Sequence, residues 1–358
     1  MSILKSHLRD ADEIAGFLGD KNLRFEGKNI LLTGAAGFLG SQFVHFFARL
    51  NETILFDNPC RLVAMDNFLR GVPSWLKEFE TRVDIIIQKA DIISERQFQP
   101  AHFIIHAASI ASPIFYRKHP IETMDANVIG LRNLLEHSRI VQPESFLFFS
   151  SSEIYGDPDA ANIPTKEDYR GSVSCTGPRA CYDESKRYGE TLCVSFAQVH
   201  GTPVKIVRPF NNYGPGLKIT DRRVLPDFFR DALAGRNIVL LSDGRATRTF
   251  CYISDAITGY LLALLSSHNG ESFNIGADEP EISMEDLAKL VIETTGSRIE
   301  IEKRQSNDPQ YLTDNPQRRC PDLSKSRHML GYSPQIGLEE GLSRMFEFYK
   351  ESPDGSDE

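Results

Sequence analysis

Asn29-Ile30-Leu31-Leu32-Thr33-Gly34-Ala35-Ala36-Gly37-Phe38-Leu39-Gly40 decides the fold of this chain. Five mostly apolar residues, enough for one strand, run into glycines at 34, 37 and 40, and Ser41-Gln42-Phe43-Val44 continues as a helical pattern. Gly34 permits a tight strand-to-helix turn, Gly37 lets the backbone approach a pyrophosphate, and Gly40 lets the helix pack on the strand. Phe38 and Leu39 then lie in the first helical turn, whose free N–H groups face the phosphates. A second apolar run, Arg61-Leu62-Val63-Ala64-Met65, ends in Asp66-Asn67. A carboxylate at that strand end can accept both hydroxyls of an adenosine ribose and would repel a 2′-phosphate, which favours NAD over NADP.

Working outward, further apolar runs at 83–87, 103–107, 146–150 and 204–208 alternate with helical patterns. That alternation implies an α/β fold, a doubly wound parallel sheet of the Rossmann type, with ligands gathered at the carboxyl ends of the strands. Asp91 and Ile92 follow the third run, Ala107 ends the fourth and Ser151 follows the fifth, so these join the expected cofactor and catalytic positions. The expected organisation is an N-terminal helical extension over 1–27, an NAD-binding domain over 28–212, and a smaller, mainly substrate-binding domain over 213–351. Some segments of the last return to the first domain, and a polar tail covers 352–358. Leu4, Leu8, Ile14 and Leu18 have the spacing of amphipathic helices. A lid, a dimer contact and a loose extension are all open for this segment, and packing against the protein's own surface is favoured.

Composition narrows the function classes. With 41% hydrophobic residues, 358 residues can bury one large core and a smaller one, and a net charge of −9 offers no footprint for nucleic acid. No run of about 18 apolar residues suggests a membrane span, and the charged N-terminus lacks a signal-peptide core. The six cysteines form no CxxC and no metal-ligand pairing with histidine, so a reduced cytoplasmic protein without a metal is expected.

Tyr182-Asp183-Glu184-Ser185-Lys186 carries the chemistry. Tyrosine and lysine four residues apart share one helix face, where the ammonium is expected to lower the phenol pKa. With the Ser151 hydroxyl beside it, such a phenol can take a proton from a sugar alcohol while a hydride leaves its carbon.

These residues resemble the extended short-chain dehydrogenase/reductase superfamily, and within it the nucleotide-sugar epimerases, dehydratases and decarboxylases. The resemblance runs from about Lys28 to Tyr349 and is most specific toward the UDP-glucuronic acid decarboxylase (UDP-xylose synthase) family. His106-Ala107-Ala108-Ser109, Ser152-Glu153-Ile154-Tyr155-Gly156-Asp157-Pro158, Gly177-Pro178-Arg179-Ala180-Cys181-Tyr182-Asp183-Glu184-Ser185-Lys186-Arg187, Arg208-Pro209-Phe210-Asn211-Asn212-Tyr213-Gly214-Pro215, Thr247-Arg248-Thr249-Phe250 and Arg319-Cys320-Pro321-Asp322 carry it. In the family, 4,6-dehydratases place an Asp-Glu pair after the fifth strand and simple 4-epimerases place no acid there. Ser152-Glu153 keeps the lone glutamate of the decarboxylases.

The resemblance implies a closed cycle in which C4 of a glucuronyl unit is oxidised, carbon dioxide leaves the resulting β-keto acid, and the hydride returns. It gives Tyr182 the role of base and later acid, and has Lys186 tune it and hold the nicotinamide ribose, with Ser151 sharing the proton. Glu153 would orient the sugar and manage the proton at C5, and Arg248 would bind the substrate's carboxylate or phosphate. Asn211 and Arg223 match positions that contact the substrate diphosphate. The chain departs from the family at Leu241, where an aromatic residue stacks on the nucleobase, at Gly216, which replaces an arginine, and at Arg170-Gly171-Ser172, which lacks a tryptophan. Three functions stay open: a nucleotide-sugar decarboxylase, a 4-epimerase or 4,6-dehydratase sharing the cofactor cycle, and a catalytically silent NAD-binding regulatory protein. By analogy the chain would be a homodimer through helices spanning Ile121 to Ser138 and Tyr182 to His200.

Overall fold

The computed structural model describes residues 5–306, 308 and 313–351. Seven parallel strands form one sheet: β1 (Asn29–Thr33), β2 (Arg61–Asp66), β3 (Ile85–Lys89), β4 (Phe103–His106), β5 (Ser145–Phe149), β6 (Val204–Pro209) and β7 (Ser272–Ile275). Their order is β7-β6-β5-β4-β1-β2-β3. The direction of winding therefore reverses between β1 and β4, which opens a crevice at the carboxyl ends of those strands. Six strands fall on the apolar runs read from the sequence, with β3 displaced two residues toward the C-terminus. The seventh was not foreseen.

Alternate residues of each strand enter opposite cores. Ile30, Leu32, Leu62 and Leu147 join one cluster and Leu31, Val63, Ile104 and Phe146 the other. Both faces are thus buried, as a parallel sheet requires. The first cluster is closed by α2 (Phe38–Thr53) and by a helix over Ile253–Leu265, and the second by helices over Leu131–Val141 and Ala180–His200.

The N-terminal segment does pack on the protein's own surface. Its helix α1 (Lys5–Leu18) buries Ala11, Ile14, Ala15 and Leu18. His7 stacks on His45 of α2 with centroids 4.2 Å apart, and the buried Asp10 carboxylate accepts the Tyr252 hydroxyl at 3.1 Å. Leu4 and the 352–358 tail lie outside the described residues. Beyond Tyr213 the strands outside the main sheet are short: 212–213 pairs with 251–252, 238–240 with 301–303, and 247–248 with 282–283 and 318–319. Among the described residues no helix is long and apolar enough to cross a membrane.

Candidate active site

A cleft of about 1200 Å³ opens at the carboxyl ends of the strands and receives every site residue named from the sequence, from Gly34 and Asp66 to Tyr182 and Arg248. At its first wall, Gly34 adopts φ +76°, and a Cβ there would lie 2.6 Å from the Ala108 backbone. A Cβ on Gly40 would meet the Gly34 carbonyl oxygen at 2.0 Å, so no side chain fits where α2 crosses the turn. Gly37 differs, since its Cβ would touch only the Gly34 oxygen, at 3.3 Å. The remaining space faces the cleft, and the N-terminus of α2 carries no side-chain cap. Free N–H groups beside an open backbone suit a pyrophosphate.

Asp66 ends β2 with its carboxylate accepting Ala36 N at 3.0 Å and Phe68 N at 2.7 Å, while burial pushes its pKa up. Asn67 reaches Asp91, donating to its carboxylate at 3.1 Å, and Ile92 and Ala107 line the cleft beside them. Glycine turn and acid together fit a dinucleotide.

The second wall holds the chemistry. Tyr182 and Lys186 lie one turn apart on the helix Ala180–His200. Ser151, in the turn after β5, lies beside the Tyr182 side chain, whose pKa it pulls downward, and accepts the Glu153 N–H at 3.2 Å. Lys186 Nζ donates to the Phe149 carbonyl at 2.8 Å and sits 5.7 Å from the Tyr182 ring centre. One expectation is corrected here: the phenol is not lowered. Burial raises Tyr182 to about 12 despite the opposing effect of Ser151, and burial lowers Lys186 to about 7. Both groups are removed from water, which disfavours phenolate and ammonium alike.

Glu153 behaves in the opposite way. Burial pushes it up, but Arg179 and Arg319 reverse this and hold it at about 2. Arg179 donates to one carboxylate oxygen, and Arg319 grips both, with Nη2 at 2.7 Å. Arg248 is buried beside this group. Its fork is taken up by the carbonyls of Thr247 at 2.7 Å, Gln317 at 3.2 Å and Pro316, so it adds charge rather than a free fork. Burial, with Arg319 nearby, lowers it to about 9. Asn211 lines the cleft at φ +40° and donates to the Thr249 carbonyl at 2.8 Å. Arg223 is paired with Asp221.

Arg179, Arg319 and Tyr116 lacked roles in the sequence reading, although the first two lie inside the motif stretches quoted there. The Tyr116 ring stacks on Tyr182 with centroids 5.1 Å apart, and its buried hydroxyl has no hydrogen-bond partner among the described residues. Gly216 has a steric reason for not being arginine. It adopts φ +86°, and a Cβ would meet Gln42 Nε2 at 2.5 Å and His7 Cε1 of α1 at 3.3 Å. The half-exposed Leu241 lines the cleft where a base-stacking ring was expected.

Residues 30–276 match the model of the NAD dependent epimerase/dehydratase family. The chain belongs to that family. Among its relatives is UDP-glucuronic acid decarboxylase 6 of Arabidopsis thaliana, 36% identical over 332 residues that span 92% of each chain. Two solved family structures superpose closely. UDP-glucose 4-epimerase of Thermotoga maritima with UDP-glucose has a TM-score of 0.78 at 25% identity, covering 91% of this chain and 99% of that one. UDP-glucuronic acid 4-epimerase of Bacillus cereus, in complex with NAD and a fluorinated UDP-glucuronic acid, has a TM-score of 0.74 at 25% identity, covering 90% and 99%.

Proposed function

We propose that this chain is an NAD-dependent nucleotide-sugar decarboxylase acting on a UDP-glucuronate-like substrate and yielding a UDP-xylose-like pentose. One observation carries the reading: the buried Arg248 and Arg319 and the partly buried Arg179 surround the single glutamate that follows β5. Three guanidinium groups outnumber Glu153 and the neighbouring Asp183, whose carboxyl burial raises to about 7. An uncompensated buried positive charge is costly, and a sugar carboxylate relieves it.

The glycine turn, Asp66 and Lys186 would hold the dinucleotide. When bound, it supplies acceptance and return of a hydride. In its phenolate form Tyr182, with Ser151 beside it, takes the proton of the C4 hydroxyl and later gives it back. The excess positive charge of the arginine cluster draws the carboxylate of the sugar toward it. Once C4 is a ketone, the carboxylate lies β to it and leaves as carbon dioxide, the electrons passing onto the ketone. Glu153, fixed as an anion, orients its arginines, and one proton taken up from solvent per turnover replaces the lost carboxylate at C5. Asn211 and Arg223 would meet the diphosphate. A homodimer through the helices over 121–138 and 182–200, a cytoplasmic setting, and a division between cofactor and substrate domains at 212/213 belong to the same proposal.

Mass spectrometry of products from a panel of nucleoside diphosphate hexuronates and hexoses tests this. Carbon dioxide and a pentose with no net consumption of NAD are expected from a hexuronate. Loss of water from a hexose, with no carbon dioxide from any hexuronate, would overturn it. Cofactor choice is a separate measurement: Asp66→Ala should weaken NAD by about 1.5–3 kcal/mol, the worth of hydrogen bonds to a charged group, and reduce the preference over NADP. Equal affinity of the native protein for both cofactors would remove the role given to Asp66.

A further inference from the structure

Loops from both walls of the cleft meet at one short segment, Asp221-Arg222-Arg223, just before the helix Val224–Leu233. Asp221 is buried at 2% exposure, yet its carboxylate serves two guanidinium groups. Arg70 Nη1 donates to Oδ1 at 3.0 Å, and Arg223 Nε donates to Oδ2. Arg70 belongs to the loop that begins at Asp66, and its guanidinium also lies 4.5 Å over the Phe115 ring. Arg223 lies 6.0 Å from the ring of Phe38, the first residue of α2. Ser112 Oγ, from the loop after β4, donates to the Asp221 carbonyl at 3.3 Å. The loops following β2 and β4 and the first residue of α2 therefore all meet residues 221–223.

Two backbone features suit this junction to move. Phe68 and Gly71, on either side of Arg70, have φ +56° and +86°. Arg222, exposed and lining the cleft, has φ +64°, a left-handed conformation that costs a non-glycine residue about 1 kcal/mol or more.

The geometry points to Arg70 and Asp221 as positioning residues, a clasp by which occupancy of the diphosphate subsite at Arg223 tightens the loop that carries Asp66 around the dinucleotide. It rests on the proposed function for the diphosphate. Without a ligand the buried Asp221 charge is shared between Arg70 and Arg223. A diphosphate drawn to Arg223 competes for that guanidinium and leaves Asp221 more dependent on Arg70, which holds residues 66–71 closed. The two ligands then bind with positive cooperativity, and by linkage the factor is the same in both directions. Such coupling suits a cycle in which the hydride must return to the sugar it left.

The test is NAD affinity of the cofactor-stripped full chain, with and without a saturating nucleoside diphosphate chosen from UDP, dTDP, CDP and GDP as the tightest binder. The native chain should bind NAD about tenfold more tightly with the nucleotide, within the usual coupling range of roughly 5- to 150-fold. Arg70→Ala should bring the factor below about twofold, and Arg70→Lys, which keeps one charge but not the fork, should fall between. The reciprocal factor, nucleotide affinity with and without NAD, should follow in each variant. A full factor in folded Arg70→Ala, or none in the native chain, overturns the clasp while leaving the proposed function standing. Binding of none of the four nucleotides would sink both.

Discussion

Two buried groups share the second wall of the cleft and respond to burial in opposite ways. At Tyr182 and Lys186 the phenol rises to about 12 and the amine falls to about 7, both toward the neutral form. At Glu153 the same loss of water is reversed by Arg179 and Arg319, and the carboxyl stays ionised down to about 2. The difference lies in the partners. Lys186 meets a neutral carbonyl at 2.8 Å, whereas Glu153 meets two guanidinium groups. Burial without a charged partner leaves a group free to exchange its proton, while burial with one fixes the charge. A proton-transfer device needs the first and an anion-binding device the second, so one cleft can hold both.

The largest effect should come from the neutral side. Tyr182→Phe removes the hydroxyl that exchanges the C4 proton and should lower turnover by about 10² to 10⁴, with NAD still bound. Near-native turnover would mean that this side of the comparison does no proton transfer.

On the charged side, Glu153→Gln leaves two guanidinium groups against a neutral amide. The expected loss is about 3–5 kcal/mol of folding stability, measured by denaturant at pH 7. Because the folded pKa of Glu153 is depressed, its contribution is present above about pH 4.5 and lost as pH falls through about 2, so the gap between variant and native protein should close over that window. A variant as stable as the native chain at pH 7 would show that the arginines do not depend on the carboxylate.

The smallest effect sharpens the contrast. Lys186→Met should stabilise the cofactor-free fold by about 1–3 kcal/mol near pH 6. Between about pH 7 and 10.5 the unfolded lysine holds a proton that the folded one has released. Native stability therefore rises with pH across that window, and the advantage of the methionine variant should vanish at its upper end. A gain that does not depend on pH would assign the effect to packing rather than to charge.

Much of this was legible in the sequence because it rests on local chemistry. The glycine turn, Asp66 and the Tyr182–Lys186 spacing are contiguous or one turn apart, and the β1, β2 and β4 to β6 runs are apolar on both faces. What escaped depends on distant parts of the chain. Arg319 reaches Glu153 from 166 positions away, and Arg179 looks like an ordinary surface residue until β5 is placed beside its helix. The phenol shift was misread because spacing shows the lysine but not the loss of water around both groups. β7 was invisible for a related reason. Its fully buried Asn274 donates to the Thr165 and Asp322 carbonyls and accepts from Tyr155, so a polar residue that breaks an apolar run sits within the sheet.

That seventh strand has a consequence for how the chain is made. β6 ends at Pro209 and its neighbour β7 begins at Ser272, so about 60 residues must be synthesised before the pairing Ile206 to Pro209 can form. At 5–20 residues per second on the ribosome, β6 presents bare N–H and C=O groups for about 3 to 12 s. An uncovered parallel strand is a template for pairing with another chain. Aggregation during synthesis should therefore concentrate in nascent chains halted between these two strands, and chaperone demand should fall once Ile275 has emerged.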